Sequence, residues 1–199
     1  MSECVVNQFR SICEQKGYAF FERGDFNLNI FGIRRVAQPN KFDDFFAIIY
    51  KVGGKWVYRW FWATTDAGQF YLDNPIVEKG CALLKEGQYR GAYAIGLHKG
   101  QYEALRQVKP VSVFRDNNRD SVLDLNGEVD TGIFGINIHR GSLVHDLGYD
   151  VDKWSAGCQV IANSRDFDEL MNLCRKSAKI FGNSFTYTLL NENDFKHGV

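Results

Sequence analysis

The stretch FFAIIYKVGGKWVYRWFWATT, residues 45–65, constrains the fold more than any other part of the chain. Two runs dense in aromatic and β-branched residues flank a glycine pair. Such side chains pack well on a pleated surface, and glycines accept the positive φ angles that a tight turn between paired strands requires. The pattern predicts a hairpin with strands near 45–51 and 55–63. Aromatic residues make up 15% of the 199 residues, including 16 Phe and 9 Tyr, which extends the β preference to the whole chain.

The remaining pattern is mixed. ECVVNQFRSICEQK (3–16) places Val5, Val6, Phe9, Ile12 and Cys13 at helical spacing, with Gly17 as a stop. Strands are expected within 18–35, at AYAIGL (92–97), PVSVFRD (110–116), GIFGINIH (132–139), CQVIA (158–162) and FTYTLL (185–190). DAGQFYLDNP (66–75) reads as turn, short strand and turn, QYEALRQV (101–108) as a helical turn, and Asn126-Gly127 as a hairpin signal. SRDFDELMNLCRKSAKIF (164–181) is the strongest helix: Ser164 can cap it, and Phe167, Leu170, Met171, Cys174 and Ala178 share one face. The expected class is mostly β (α+β), a mixed β-sheet sandwich or barrel with a C-terminal helix and a short N-terminal helix. It forms one domain over 1–199: a helical element at 1–17, the body at 18–190 and a polar tail at 191–199.

Charge and cysteine usage exclude several functions. With 24 basic and 24 acidic residues the formal charge is zero, so no general field attracts nucleic acid or an anionic membrane. Cys4, Cys13, Cys81, Cys158 and Cys174 are odd in number and scattered, without zinc-site spacing, which argues against a structural metal and a disulfide framework and for synthesis in a reducing compartment. The first residues lack the pattern of a secretory signal, and no run approaches the roughly 20 apolar residues of a membrane-spanning helix. No cofactor is expected; the oligomeric state is open.

The chemistry concentrates in INIHRGSLVHDLGYDVDKWSAGCQVI, residues 136–161. A nucleophilic thiol needs a base, an open backbone and donors for an oxyanion. In WSAGCQV, Gly157 gives room for substrate, Ser155 is small and can donate, and N–H groups of Gly157 and Cys158 can form an oxyanion hole. His139 ends a strand 19 positions earlier, a gap that a loop and an adjacent strand can close. The group orienting its imidazole is open among Asp146, Asp150, Asp152 and a backbone carbonyl. Against this, free cysteine is among the most often buried residue types. His98 and His145 read as loop histidines. A metal site from His139, His145 and Asp146 lacks a known ligand spacing. Trp56, Trp60 and Trp62 read as core aromatics at alternate strand positions, whereas Trp154 and Tyr71 are placed to reach a substrate.

A strand ending in I-x-I-H, a loop, then S-x-G-C followed by a polar residue and an apolar strand resembles the catalytic signature of the L,D-transpeptidase (YkuD-like) family. More loosely, the likeness runs from about residue 55 to 165. The resemblance implies a cysteine enzyme acting on peptidoglycan stem peptides, with Cys158 as nucleophile, His139 as its activating histidine, Ser155 and Gly157 as the signature's serine and glycine, and a backbone carbonyl near His139 as third member. The chain departs from the family pattern at Arg140, Ala156 and Gln159. Arg140 can bind a stem-peptide carboxylate through its planar fork, and Gln159 adjoins the thiol. The blocks FGINIHR and VDKWSAGCQV also resemble small bacteriophage proteins. That implies action at the bacterial wall or in a phage particle, reached without a signal peptide. A wall-binding module without activity and a structural component of a virion are the alternatives.

Overall fold

The computed structural model describes residues 2–35, 40–141 and 150–195. Helix α1 (Ser2–Lys16) is followed by β1 (Asn29–Arg34), β2 (Asp44–Val52), β3 (Lys55–Thr64), the short helix α2 (Gln69–Asp73), β4 (Cys81–Leu84), β5 (Gly87–His98), β6 (Tyr102–Gln107), β7 (Val111–Asp116), β8 (Val129–Gly132), β9 (Ile138–Arg140), β10 (Gln159–Ile161), helix α3 (Ser164–Phe181) and β11 (Phe185–Asn191). Among the described residues, eight strands close into a barrel in the order β1-β11-β5-β6-β9-β10-β3-β2, and β4, β7 and β8 form a separate three-stranded sheet. The chain is therefore β-rich with a helix near each end. No helix of the described residues is long and apolar enough to cross a membrane.

The hairpin forms as expected: Asp44 to Val52 pairs with Lys55 to Ala63, and Gly53 and Gly54 both take positive φ (56° and 74°) at the turn. Its near-continuous apolar character has a packing reason. Ile30, Phe46 and Ile48 join one core cluster with Phe167, Leu170 and Cys174 of α3. The alternate residues Phe31, Ile33, Ala47 and Ile49 join another with Val6, Phe9, Ile12 and Cys13 of α1. Successive strand residues point to opposite faces, so a strand covered on both sides must be apolar at every position.

Several local expectations give way to tertiary partners. Residues 69–73 are a helical turn, not a strand: Gly68 N–H donates to the Ser155 carbonyl at 2.8 Å, and the turn that follows buries Leu72 against Cys81, Leu83 and Phe114. QYEALRQV is strand β6, because pairing with β5 buries Ala104 and Leu105 completely and overrides local helix propensity. The expected strand over 132–139 is interrupted. The buried Gln107 side chain takes the place of a neighbouring strand, its Oε1 accepting from Phe134 and Ile136 N–H at 3.1 and 3.0 Å and its Nε2 donating to the Gly132 carbonyl at 2.9 Å. The chain can thus pass from the small sheet to the barrel between Gly132 and Ile138 without stranding its buried amides.

Asn163, in extended conformation, caps α3 by accepting from Arg165 N–H, whereas Ser164 is already helical. The polar tail begins later than expected, since Asn191 ends β11 and Phe195 packs edge-on against Phe9 at 5.1 Å. Trp60 is not a core residue: it is 47% exposed, in an outward row with Phe45 and Trp62.

Candidate active site

Strands β9 and β10 run parallel, with Ile138 opposite Gln159 and His139 opposite Val160. This pairing closes the sequence gap between His139 and Cys158, which stands one residue ahead of β10. Both line one cavity of about 500 Å³. Its lining draws on Tyr71, Ile76 and Val77, on Ile133, Phe134 and Gly135, and on Lys153, Trp154 and Ala156 from the segment that leads to the thiol.

The loop holding the thiol is fixed by its own small residues. Ser155 Oγ donates to the Cys158 carbonyl at 2.8 Å and accepts from Gly157 N–H at 3.1 Å. Gly157 has φ 120°, a region open to glycine, and an added Cβ would fall inside van der Waals contact of the Ala82 carbonyl oxygen on β4. Gly157→Ala is accordingly expected to destabilise the fold by about 2–3 kcal/mol, measured by urea denaturation; a loss within about 0.5 kcal/mol would show that the loop does not need this close approach.

These bonds revise two expectations. Gly157 N–H is already bonded to Ser155, so it is not an open oxyanion donor, whereas Cys158 N–H has no partner among the described residues. Ser155 is buried and positions the loop instead of facing the cavity.

Cys158 is partly exposed, with Sγ 3.5 Å from the Gly135 carbonyl. Burial raises its thiol above the ordinary value, opposed by a hydrogen bond from Asn137 N–H and by the charge of Lys99. His139 is buried, and its Nδ1 lies 2.8 Å from the Arg140 carbonyl oxygen. A carbonyl only accepts, so Nδ1 carries the proton and Nε2 the lone pair. Burial, assisted by His98 and Lys99 and opposed by the Arg140 carbonyl, pushes the imidazole down to about 4. At neutral pH the arrangement is a neutral thiol with a neutral imidazole, suited to removing the thiol proton during attack.

Of the possible orienting groups, the carbonyl is the one in contact. Asp150 pairs with Lys41, Asp152 is exposed, and Asp146 lies outside the described residues, as does His145. No group of three or more metal-binding side chains is assembled among the described residues.

Two of the four expected substrate contacts, Tyr71 and Trp154, line the cavity. Tyr71 does so from α2. Arg140 does not: its guanidinium lies over the Tyr102 ring at 4.5 Å. Nor does Gln159, which is fully buried. Strand alternation turns it away from the thiol's face, where its Nε2 donates to the Thr65 and Gly157 carbonyls at 3.2 and 3.3 Å and its Oε1 accepts from Tyr187 at 2.7 Å.

Residues invisible to motif reading complete the site. His98, at the end of β5, is buried and stacks on His139 with ring centroids 4.5 Å apart, while Asn137 Nδ2 lies 3.3 Å from its Nδ1. Lys99, the next residue, also lines the cavity. His98 is distant in sequence from the signature, and only the β5–β6–β9 strand order brings it there.

Compared with known proteins, the chain matches no family model, no curated protein and no solved structure.

Proposed function

We propose that the chain is a cysteine acyl-transfer enzyme acting on peptidoglycan stem peptides, as an L,D-carboxypeptidase, endopeptidase or transpeptidase on an L,D-transpeptidase-like fold. The observation that carries the reading is the placement of Cys158 and His139 in one cavity, with His139 Nδ1 held by the Arg140 carbonyl and Nε2 left as the basic nitrogen. The substrate class rests on the resemblance of I-x-I-H and S-x-G-C to the family signature.

In the mechanism, Cys158 Sγ attacks an amide carbonyl carbon while its proton passes to His139 Nε2. The carbonyl oxygen becomes an oxyanion facing Cys158 N–H. Collapse breaks the C–N bond, and the amine leaves with the proton from His139, leaving a Cys158 thioester. Water then yields an acid and completes hydrolysis, or an amine of a second stem yields a new amide. Hydrolysis is the favoured fate, on the signature's departure at Ala156, which lines the cavity. Such an enzyme acts at the bacterial wall or from a phage particle.

The test is incubation of the protein and its Cys158→Ala variant with purified sacculi and with muropeptides, the products read by mass spectrometry. New cleavage or cross-links that vanish in the variant are expected, and the product separates hydrolysis from transfer. No product from either chain transfers the weight to the wall-binding or virion-structural reading.

A further inference from the structure

We propose that the cavity beside Cys158 contains a carboxylate-binding subsite anchored by Lys99, so that its ligand is a short peptide segment with a free carboxylate. The peptide part rests on the reading of Cys158 as an acyl-transfer nucleophile; the carboxylate part rests on the cavity alone.

Lys99 occupies the turn between β5 and β6 with φ 49°, a left-handed backbone that is uncommon and costly for a residue with a long side chain. From there it lines the same cavity as Cys158, His139 and His98, and its charge acts on all three groups. It makes no hydrogen bond or ion pair with any described residue. The other cations of the lining are differently placed. Arg115 is bonded to Asp130 at 2.9 Å and to the Gly80 carbonyl at 3.3 Å, and the Lys153 ammonium lies over the Phe70 ring at 4.5 Å.

Among the described residues, no aspartate or glutamate lines the cavity. Among the described residues its positive charge is thus uncompensated on the side of the thiol, and Lys99, exposed where it lines the cavity, is free to pair with an anion brought in by the ligand. The rim supplies the rest of the recognition. Ile76, Ile133 and Trp154 are 72%, 64% and 43% exposed and line the same cavity as Lys99, an apolar surface for small side chains. Arg140, the residue whose type best suits a carboxylate, is engaged with Tyr102.

The experiment measures iodoacetamide labelling of Cys158 in the full chain by peptide mass spectrometry, with the exposed Cys4 as internal reference. The competitors are N-acetyl-Ala-Ala with a free C-terminal carboxylate and the same peptide as its C-terminal amide. In the wild type the acid is expected to protect Cys158 at concentrations where the amide does not. Lys99→Gln should weaken that protection about threefold to fivefold, and Lys99→Arg should retain it. Equal protection by acid and amide, no protection by either, or unchanged selectivity in Lys99→Gln overturns the subsite, as does failure of Cys158 to label at all. Labelling needs no turnover. Acid-selective protection with inert sacculi therefore leaves the subsite standing and removes the proposed reaction, whereas turnover without acid selectivity does the reverse.

Discussion

His139→Ala is expected to lower turnover of muropeptides by about a hundredfold to ten-thousandfold, approaching the loss in Cys158→Ala, because a nucleophile and its base act as one unit. The reason lies in the resting state. Burial raises the thiol, so little thiolate exists at neutral pH without a base, and burial lowers His139 to about 4, so the base is unprotonated there. The acid limb of the rate profile should accordingly fall through about pH 4, where His139 gains a proton and Nε2 can no longer accept one. A limb near the ordinary imidazole value of about 6.5 would count against His139 as a buried base. Stability carries the same sign: a folded pKa below the unfolded one means that the unfolded chain binds more protons between those values. His139 thus weakens the fold as pH falls from about 6.5 toward 4. His98, lowered mainly by burial, adds in the same direction. Urea titrations at pH 7 and pH 5 should show this loss in the wild type and a smaller one in His139→Ala.

Arg34→Ala should cost about 3–5 kcal/mol of folding stability, seen as a lower urea midpoint at neutral pH. Arg34 is 1% exposed on β1. Its Nε lies 2.8 Å from Asp66, Nη1 donates to the Leu84 carbonyl at 2.8 Å and lies 3.2 Å from Glu86, and Nη2 donates to the Thr65 carbonyl at 2.9 Å. Removing it leaves the Asp66 carboxylate without its ion-pair partner and the buried Leu84 and Thr65 carbonyl oxygens without their donor, the costly half of a broken buried pair. Arg34→Lys should rescue little, since a single ammonium cannot replace a planar fork spread over four partners. A loss under about 1 kcal/mol would show that the cluster is hydrated or readily rearranged. The cluster reaches the site as well. Thr65, whose hydroxyl donates to buried Asp44 at 2.8 Å, accepts from Gln159 through its carbonyl, and Gln159 in turn donates to the Gly157 carbonyl beside the thiol.

Elements whose signal is local were legible. The glycine pair at 53–54, the helical spacing of α1 and the apolar face of α3 depend on backbone preference and on periodicity within one segment, and these are properties of neighbouring residues. Segments whose conformation depends on a distant partner were not. QYEALRQV is a strand because β5 lies beside it, and 133–137 is irregular because Gln107 supplies its hydrogen bonds. No local pattern marks Arg34 in the sequence, because its carboxylate partners are 32 and 52 positions away.

The same division runs through the site. The amino-acid order by itself determined that a cysteine stands behind a serine and a glycine in a short loop and that a histidine lies in a strand 19 positions earlier, since both statements concern residue types and local spacing. Only the tertiary structure decided what surrounds them. The parallel pairing of β9 and β10 brings the two together, strand alternation turns Gln159 inward, and the order β5–β6–β9 delivers His98 and Lys99 to the cavity. The physical reason is that local spacing sets which residues can share a face, while burial, ionisation and access depend on every chain segment that packs against that face, however far away in sequence it lies.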